Sequence, residues 1–333
     1  MENIDQIKDI LTYPKDIVVI SHRNPDGDAM GSSLAIKLYL EKMGHKVDVI
    51  MPSEFPSILS FLPATDDITI YDFEKARTAN LIENAKVQFF LDFSGLDRID
   101  AIGEHIIATN AFKVHIDHHL DPEPFADFVM SDPTRSSTAE LVYDFLIALD
   151  NGKHIDNKIA ECLMTGIIAD TGSFKYSADS KTFFTVAKLM GTGLQIADLQ
   201  NKIYNNLSEK QLKLIGYGID RKMELIPEFK TAIMTLSKQD YKDYDIQRGD
   251  TEGLVNYMLM MKDIDVAALI TEQPTIVKLS LRSKGDTSVQ EIVKNHFSGG
   301  GHKNAAGGQA FASIENVVSR FKDVLPRYLS KYS

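Results

Sequence analysis

Five aspartates and three histidines stand in four short stretches: HRNPDGD with His22, Asp26 and Asp28; LDFSG with Asp92; IDHH with Asp117, His118 and His119; and GIIADTG with Asp170. Carboxylates brought together raise one another's pKa unless cations lie between them. Imidazole mixed with carboxylate suits manganese(II) or a similar first-row ion better than calcium, which takes oxygen alone, or structural zinc, which favours thiolate. Four Asp and two His suffice for two metals ~3.5–4 Å apart with a bridging carboxylate, an arrangement used for in-line displacement at phosphorus. Hydrolysis of a phosphoester is therefore the predicted chemistry. Taken singly, Asp92 after a strand reads as a turn residue or helix N-cap. Capping does not explain four such stretches, each beside an apolar run. His45, His105, His115, His154 and His296 stand alone and read as surface or packed residues.

A second group lies near the C-terminus, where SGGGHKNAAGG places Gly299, Gly300, Gly301, Gly307 and Gly308 around His302. Consecutive glycines let backbone N–H groups nest around phosphate, or else form a flexible loop. Arg282 and Ser283, ending the apolar run VKLSL, offer a charged fork and a hydroxyl to the same phosphate. Arg135, Ser136 and Ser137 open a helix whose N-terminus either faces an anion or is simply capped. Met258, Met260 and Met261 read as core, with Asn256 and Tyr257 within reach of a ligand.

These groups need a scaffold. The runs 17–20, 87–91 and 112–116 have the continuous apolar, β-rich character of strands buried on both faces. A helix over 29–43, closed by Gly44, and a strand over 46–51 follow the first. Strand, helix, strand implies a mostly parallel, doubly wound α/β sheet, whose ligands bind at the carboxyl ends of the strands. The first three charged stretches should thus meet in one crevice, with Asp170 arriving at the end of an apolar helix. Helical patterns run from Ser136 to Gly193. The polar NKIYNN reads as part of a linker, and Ser208 with Gln211 as a capping box opening the next helix. FKTAIMTLS, DVAALITEQ and TIVKLSLRS read as strands of a smaller mixed α/β domain ending in a helix over about 314–329. The expected division is 1–192, a linker over 193–207, and 208–333.

Length, 333 residues with 44% hydrophobic and 25% charged, fits a globular protein of about two domains. The formal charge of −11 argues against long nucleic acid but not against a short anion. The single cysteine, Cys162, lies in an apolar run and reads as a core residue. The start of the chain lacks signal-peptide character and no run is long enough to span a membrane, so the cytoplasm is expected. The oligomeric state is left open, a homodimer included.

HRNPDGDAMGS, LDFSG, VHIDHH, GIIADTG and SGGGHKNAAGG, in this order, resemble the DHH phosphoesterase superfamily with its associated C-terminal domain. Length and the absence of extra domains are similar to the stand-alone oligoribonuclease (nano-RNase) and 3′-phosphoadenosine 5′-phosphate phosphatase subgroup. The resemblance implies that His22, Asp26 and Asp92 bind one manganese and Asp28, Asp92, His118 and Asp170 the other, with Asp92 bridging; magnesium or cobalt are substitutes. It implies that Asp117 orients its neighbours, that His119 contacts the scissile phosphate or assists the leaving oxygen, and that Arg282, His302 and Gly299 to Gly301 hold a short RNA or phosphorylated nucleotide. Two-metal activation of water is the mechanism expected. Linear or cyclic di-adenylates and pyrophosphate or short polyphosphate are alternative substrates, and a non-enzymatic nucleotide-binding module is the reading from another class. Phe93 stands where smaller residues are common in the family.

Overall fold

The computed structural model describes residues 4–205, 207–247 and 249–329. The chain divides into two compact units at residues 206 and 207. In the first, β1 (Asp16–Ile20), β2 (Lys46–Met51), β3 (Thr69–Ile70), β4 (Val87–Leu91), β5 (Phe112–Asp117) and β6 (Phe128–Ser131) form one sheet in the order β3-β2-β1-β4-β5-β6. Every pairing in it is parallel. Alternation along each strand splits the apolar residues between two faces. Val19, Phe89 and Val114 pack on helices α1 (Ile4–Ile10), α2 (Gly27–Lys42), α5 (Thr138–Asp150) and α6 (Asn157–Asp170). Val18, Ile20 and Phe90 pack on α3 (Lys75–Asn84) and α4 (Ile102–Ile107). Strand order reverses at β1, which has β2 on one side and β4 on the other. The carboxyl ends of β1, β4 and β5 therefore lie side by side at the switch point.

α2 begins two residues earlier than its apolar pattern suggests, because Asp26 caps it through bonds from the Asp28 and Ala29 N–H groups. It lies so close to α6 that a β-carbon on Gly31 would come within 2.3 Å of the Cys162 carbonyl oxygen. This contact aligns the helix carrying Asp28 with the helix ending in Asp170. Cys162 is fully buried there.

The segment 193–207 is not a linker throughout. After α7 (Ser180–Met190) it holds α8 (Ile196–Tyr204), whose Leu199 is buried in the first unit's core and whose Ile196 and Ile203 pack against that core. A stripe at 196, 199 and 203 buries one face while the other supplies the polar residues that gave NKIYNN its linker look. Asn206, the last of that stretch, lies outside the described residues, as do residues 330–333.

The second unit opens with α9 (Glu209–Tyr217), capped by the Ser208 and Gln211 box. Its strands β7 (Met223–Ile226), β8 (Thr231–Leu236), β9 (Val266–Glu272), β10 (Val277–Ser283), β11 (Ser298–His302) and β12 (Ala305–Ala310) form a sheet in the order β11-β12-β10-β9-β8-β7. Only β8 and β9 pair in parallel among these. Between β8 and β9 come α10 (Lys238–Asp243) and α11 (Leu254–Leu259); α12 (Val289–His296) precedes β11 and α13 (Ile314–Tyr328) ends the unit. α12 and α13 cover one face, whereas α9 and α11 pack on β8 and β9 from the other. Met258 is buried with α11, but Met260 is 66% exposed.

The glycine-rich segment is a β-hairpin, neither a nest nor a loose loop, and Ala305 and Ala306 open its second strand. Gly299 sits opposite Gly308 and Gly300 opposite Gly307. The missing side chains let α12 press onto the hairpin: a β-carbon on Gly299 would be 2.7 Å from Val293 Cγ1, and one on Gly308 2.8 Å from the same atom.

Candidate active site

Four elements deliver the charged stretches of the first unit to one place. β1 runs out into Ser21 and His22, β4 into Asp92, β5 ends at Asp117 and continues into His118 and His119, and α6 ends at Asp170. His22 Nε2 is 3.6 Å from Asp92 Oδ2. His118 Nε2 lies 3.0 Å from Asp170 Oδ2, 3.7 Å from Asp92 Oδ1 and 3.8 Å from Asp28 Oδ2. His119 Nδ1 is 2.7 Å from Asp117 Oδ1 and 3.7 Å from Asp92 Oδ1. Three sets of donor atoms, His22, Asp26 and Asp92; Asp28, Asp92 and His118; and Asp92, Asp117 and His119, each lie within 4.8 Å of one another. Asp92 belongs to all three.

Backbone and hydroxyl groups fix these carboxylates. Thr138 and Ala139 at the start of α5 donate their N–H groups to Asp28 at 2.6 and 2.9 Å, and Thr138 Oγ1 donates to Asp92 Oδ1 at 2.9 Å. The start of this helix thus points its N–H groups at the Asp28 side chain. Ser137 is the N-cap of α5, accepting from the Glu140 N–H. The Arg135 guanidinium pairs with Glu140 at 3.2 Å and with Asp144, while its carbonyl lies 3.3 Å from His118 Nδ1. Thr138 escaped the sequence reading because a threonine after RSS looks like an ordinary helix start.

The charge balance is uneven. Burial, reinforced by the charges of neighbouring carboxylates, drives Asp28 and Asp92 well above the usual carboxylate range. Burial alone would lower the His118 pKa, but its bond to Asp170 and three carboxylate charges carry it up to about 11. Asp117 Oδ2 is buried with no hydrogen-bond partner among the described residues. Acids that outnumber bases, gathered as oxygen and imidazole donors around a shared carboxylate, are a set that divalent cations fit. Phe93 does not line this site: it is 1% exposed, packed with Phe90, Phe125 and His115 on the opposite face of the sheet.

In the second unit Arg282, Ala305 and His302 stand opposite one another across β10, β12 and β11, as do Ser280, Gly307 and Gly300. Opposed residues share a face, and all six are at least partly exposed. Ser283 is buried; its hydroxyl donates to the Thr287 carbonyl at 2.7 Å and accepts from the Asn304 amide at 2.8 Å, tying the hairpin turn to β10. Gly299 and Gly301 face α12 with Gly308, so of the three consecutive glycines Gly300 alone shares the Arg282 and His302 face.

A crevice lined by candidate metal ligands at the switch point of a parallel sheet, followed by a separate mixed-sheet unit, is the organisation of a phosphoesterase family. Residues 16–167 match the DHH family N-terminal domain and residues 230–331 the DHHA1 domain, and the chain belongs to the DHH family. It is a hydrolase of the phosphoesterase class. Among its relatives, the probable bifunctional oligoribonuclease and PAP phosphatase NrnA of Streptococcus mutans is 29% identical over 93% of this chain and 94% of its own. The cyclic-di-AMP phosphodiesterase GdpP of Bacillus subtilis is 26% identical over 97% of this chain, which spans 49% of that protein. The crystal structure of an exopolyphosphatase-related protein from Bacteroides fragilis superposes with a TM-score of 0.93 at 36% identity, covering 98% of this chain and 96% of that one.

Proposed function

We propose that this enzyme hydrolyses short oligoribonucleotides to mononucleotides and 3′-phosphoadenosine 5′-phosphate to AMP, using two divalent cations, manganese(II) foremost. The observation that carries the proposal is the pair of donor sets sharing Asp92 at the ends of parallel strands. His22, Asp26 and Asp92 would hold one cation; Asp28, Asp92 and His118, with Asp170 beside His118, the other. When bound, such cations supply Lewis acidity toward water and phosphate oxygens. The protein does the rest. Thr138 and Ala139 keep Asp28 aimed inward. Asp117 holds His119 by Nδ1, which turns Nε2 away from the carboxylate and toward the phosphate or the leaving oxygen.

Arg282, His302 and the Gly300 backbone form the shelf that receives a terminal phosphate or nucleotide, with Gly299, Gly301 and Ser283 shaping it from beneath. Arg135 and Ser137 contribute through α5, whose N-terminus fixes Asp28. The units 1–206 and 207–333 would then divide metal binding from nucleotide holding. Similarity to both an oligoribonuclease and PAP phosphatase and a cyclic-di-AMP phosphodiesterase supports a nucleotide substrate, and the latter favours di-adenylates as the second reading. Turnover of a dinucleotide, 3′-phosphoadenosine 5′-phosphate, linear and cyclic di-adenylate and pyrophosphate, each with manganese, separates these. The dinucleotide should be cleaved fastest, and Asp92→Ala should abolish release of mononucleotides. Undiminished turnover by that variant refutes the two-cation site.

A further inference from the structure

Asp92 has a backbone φ of 66°. This left-handed conformation is disfavoured for a residue with a β-carbon, though aspartate and asparagine tolerate it better than most. Three hydrogen bonds outside the regular ladder surround it here. On its N-terminal side Ser21 Oγ donates to the Leu91 carbonyl at 2.7 Å. Its own N–H donates to the Ile116 carbonyl at 3.2 Å. On its C-terminal side His115 Nε2 lies 2.7 Å from the Phe93 carbonyl. A carbonyl only accepts, so that nitrogen carries the proton. Ser21 and His115 are both fully buried, and neither is in the donor sets able to hold a metal among the described residues. The His115 ring also packs against Phe125 and Phe93, at centroid distances of 4.9 and 6.0 Å, and its Nε2 lies 4.0 Å from Asp117 Oδ2.

We infer that Ser21 and His115 are positioning residues that clamp the peptides on either side of Asp92, so that one carboxylate faces every donor set of the site. The inference rests on the reading of Asp92 as a shared metal ligand. Without its donor, either carbonyl is left buried and unpaired, which disfavours the left-handed turn, and the turn relaxes. His115, which its sequence neighbourhood presents as a lone packed histidine, is thereby tied to the site through the chain itself. Ser21 reads in sequence as the residue that follows the strand over 17–20.

Manganese binding to the full chain, followed by the electron paramagnetic resonance signal of the free ion, tests this without relying on turnover. The variants are Ser21→Ala, His115→Phe, which keeps the aromatic packing, His115→Gln, which keeps an N–H, and Asp92→Ala. Ser21→Ala and His115→Phe should each weaken binding about 10–100-fold, with kcat falling more than KM changes, and His115→Gln should recover most of the loss. Affinities within about twofold of the parent in Ser21→Ala and His115→Phe, alongside a loss in Asp92→Ala, overturn the clamp alone. So does a His115→Gln no better than His115→Phe. Unchanged binding by Asp92→Ala instead overturns the ligand assignment beneath it. Metal-free thermal unfolding shows whether His115→Phe folds; if it does not, Ser21→Ala carries the test.

Discussion

Two buried carboxylates of this chain sit in opposite settings. Around Asp92, burial and neighbouring acids raise the pKa. Around Asp240, burial would raise it too, but the protein supplies partners: Ser237 donates through N–H and Oγ at 2.7 Å, Tyr217 through its hydroxyl at 2.5 Å, and Lys222 Nζ lies at 2.9 Å. The result is a pKa lowered from 3.8 to about 2. A carboxylate whose folded pKa lies below its unfolded value adds stability above the unfolded pKa and loses it as pH falls through the folded one. Asp240→Asn should therefore lower unfolding free energy by about 2 kcal/mol at neutral pH, with the difference shrinking below about pH 4 and gone below about pH 2. Denaturant titrations of both proteins across that range check it; a gap independent of pH would assign the loss to geometry rather than charge.

At the scale of elements, the hairpin separates glycines that fold the chain from one that is open to serve the proposed shelf. A β-carbon on Gly299 would stand 2.0 Å from the Gly307 carbonyl oxygen, whereas one on Gly300 meets nothing within 4 Å. Gly299→Ala should cost ~1–3 kcal/mol or more of stability. Gly300→Val should leave the unfolding midpoint nearly unchanged and raise KM for a dinucleotide several-fold; an unaltered KM would remove Gly300 from the binding surface. The central strands and α2, α5 and α6 are legible in sequence because they bury continuous or periodic apolar runs. The hairpin is not, since glycine has no strand preference of its own and pairs only because β10 offers an edge. α8 was hidden for another reason: its apolar stripe is present, but a polar outer face dominates the composition. The charged stretches of the site are legible by residue type, whereas Ser21 and His115 bond backbone carbonyls, and Thr138 bonds the Asp28 and Asp92 carboxylates, of residues far along the chain that no local pattern announces.

The whole molecule keeps two sets of cores, one in each compact unit, and the His22, Asp26, Asp28, Asp92 and His118 donor sets lie wholly in the first. Calorimetry should resolve two transitions, and manganese at about 100 times its Kd should raise one of them by roughly 5–10 °C while leaving the other in place. Equal movement of both would contradict a metal site confined to one unit. No helix among the described residues is long and apolar enough to cross a membrane. The bonds from the start of α5 to Asp28 also bear on synthesis. Asp28 and Ala139 stand 111 positions apart in the chain, and Asp170 follows later still. A ribosome must release almost the entire first unit before the site can assemble, because contacts of such sequence separation form only after long loops close. On the two-cation reading proposed above, an incomplete nascent chain would therefore lack both the donor sets for metal and the activity that depends on them.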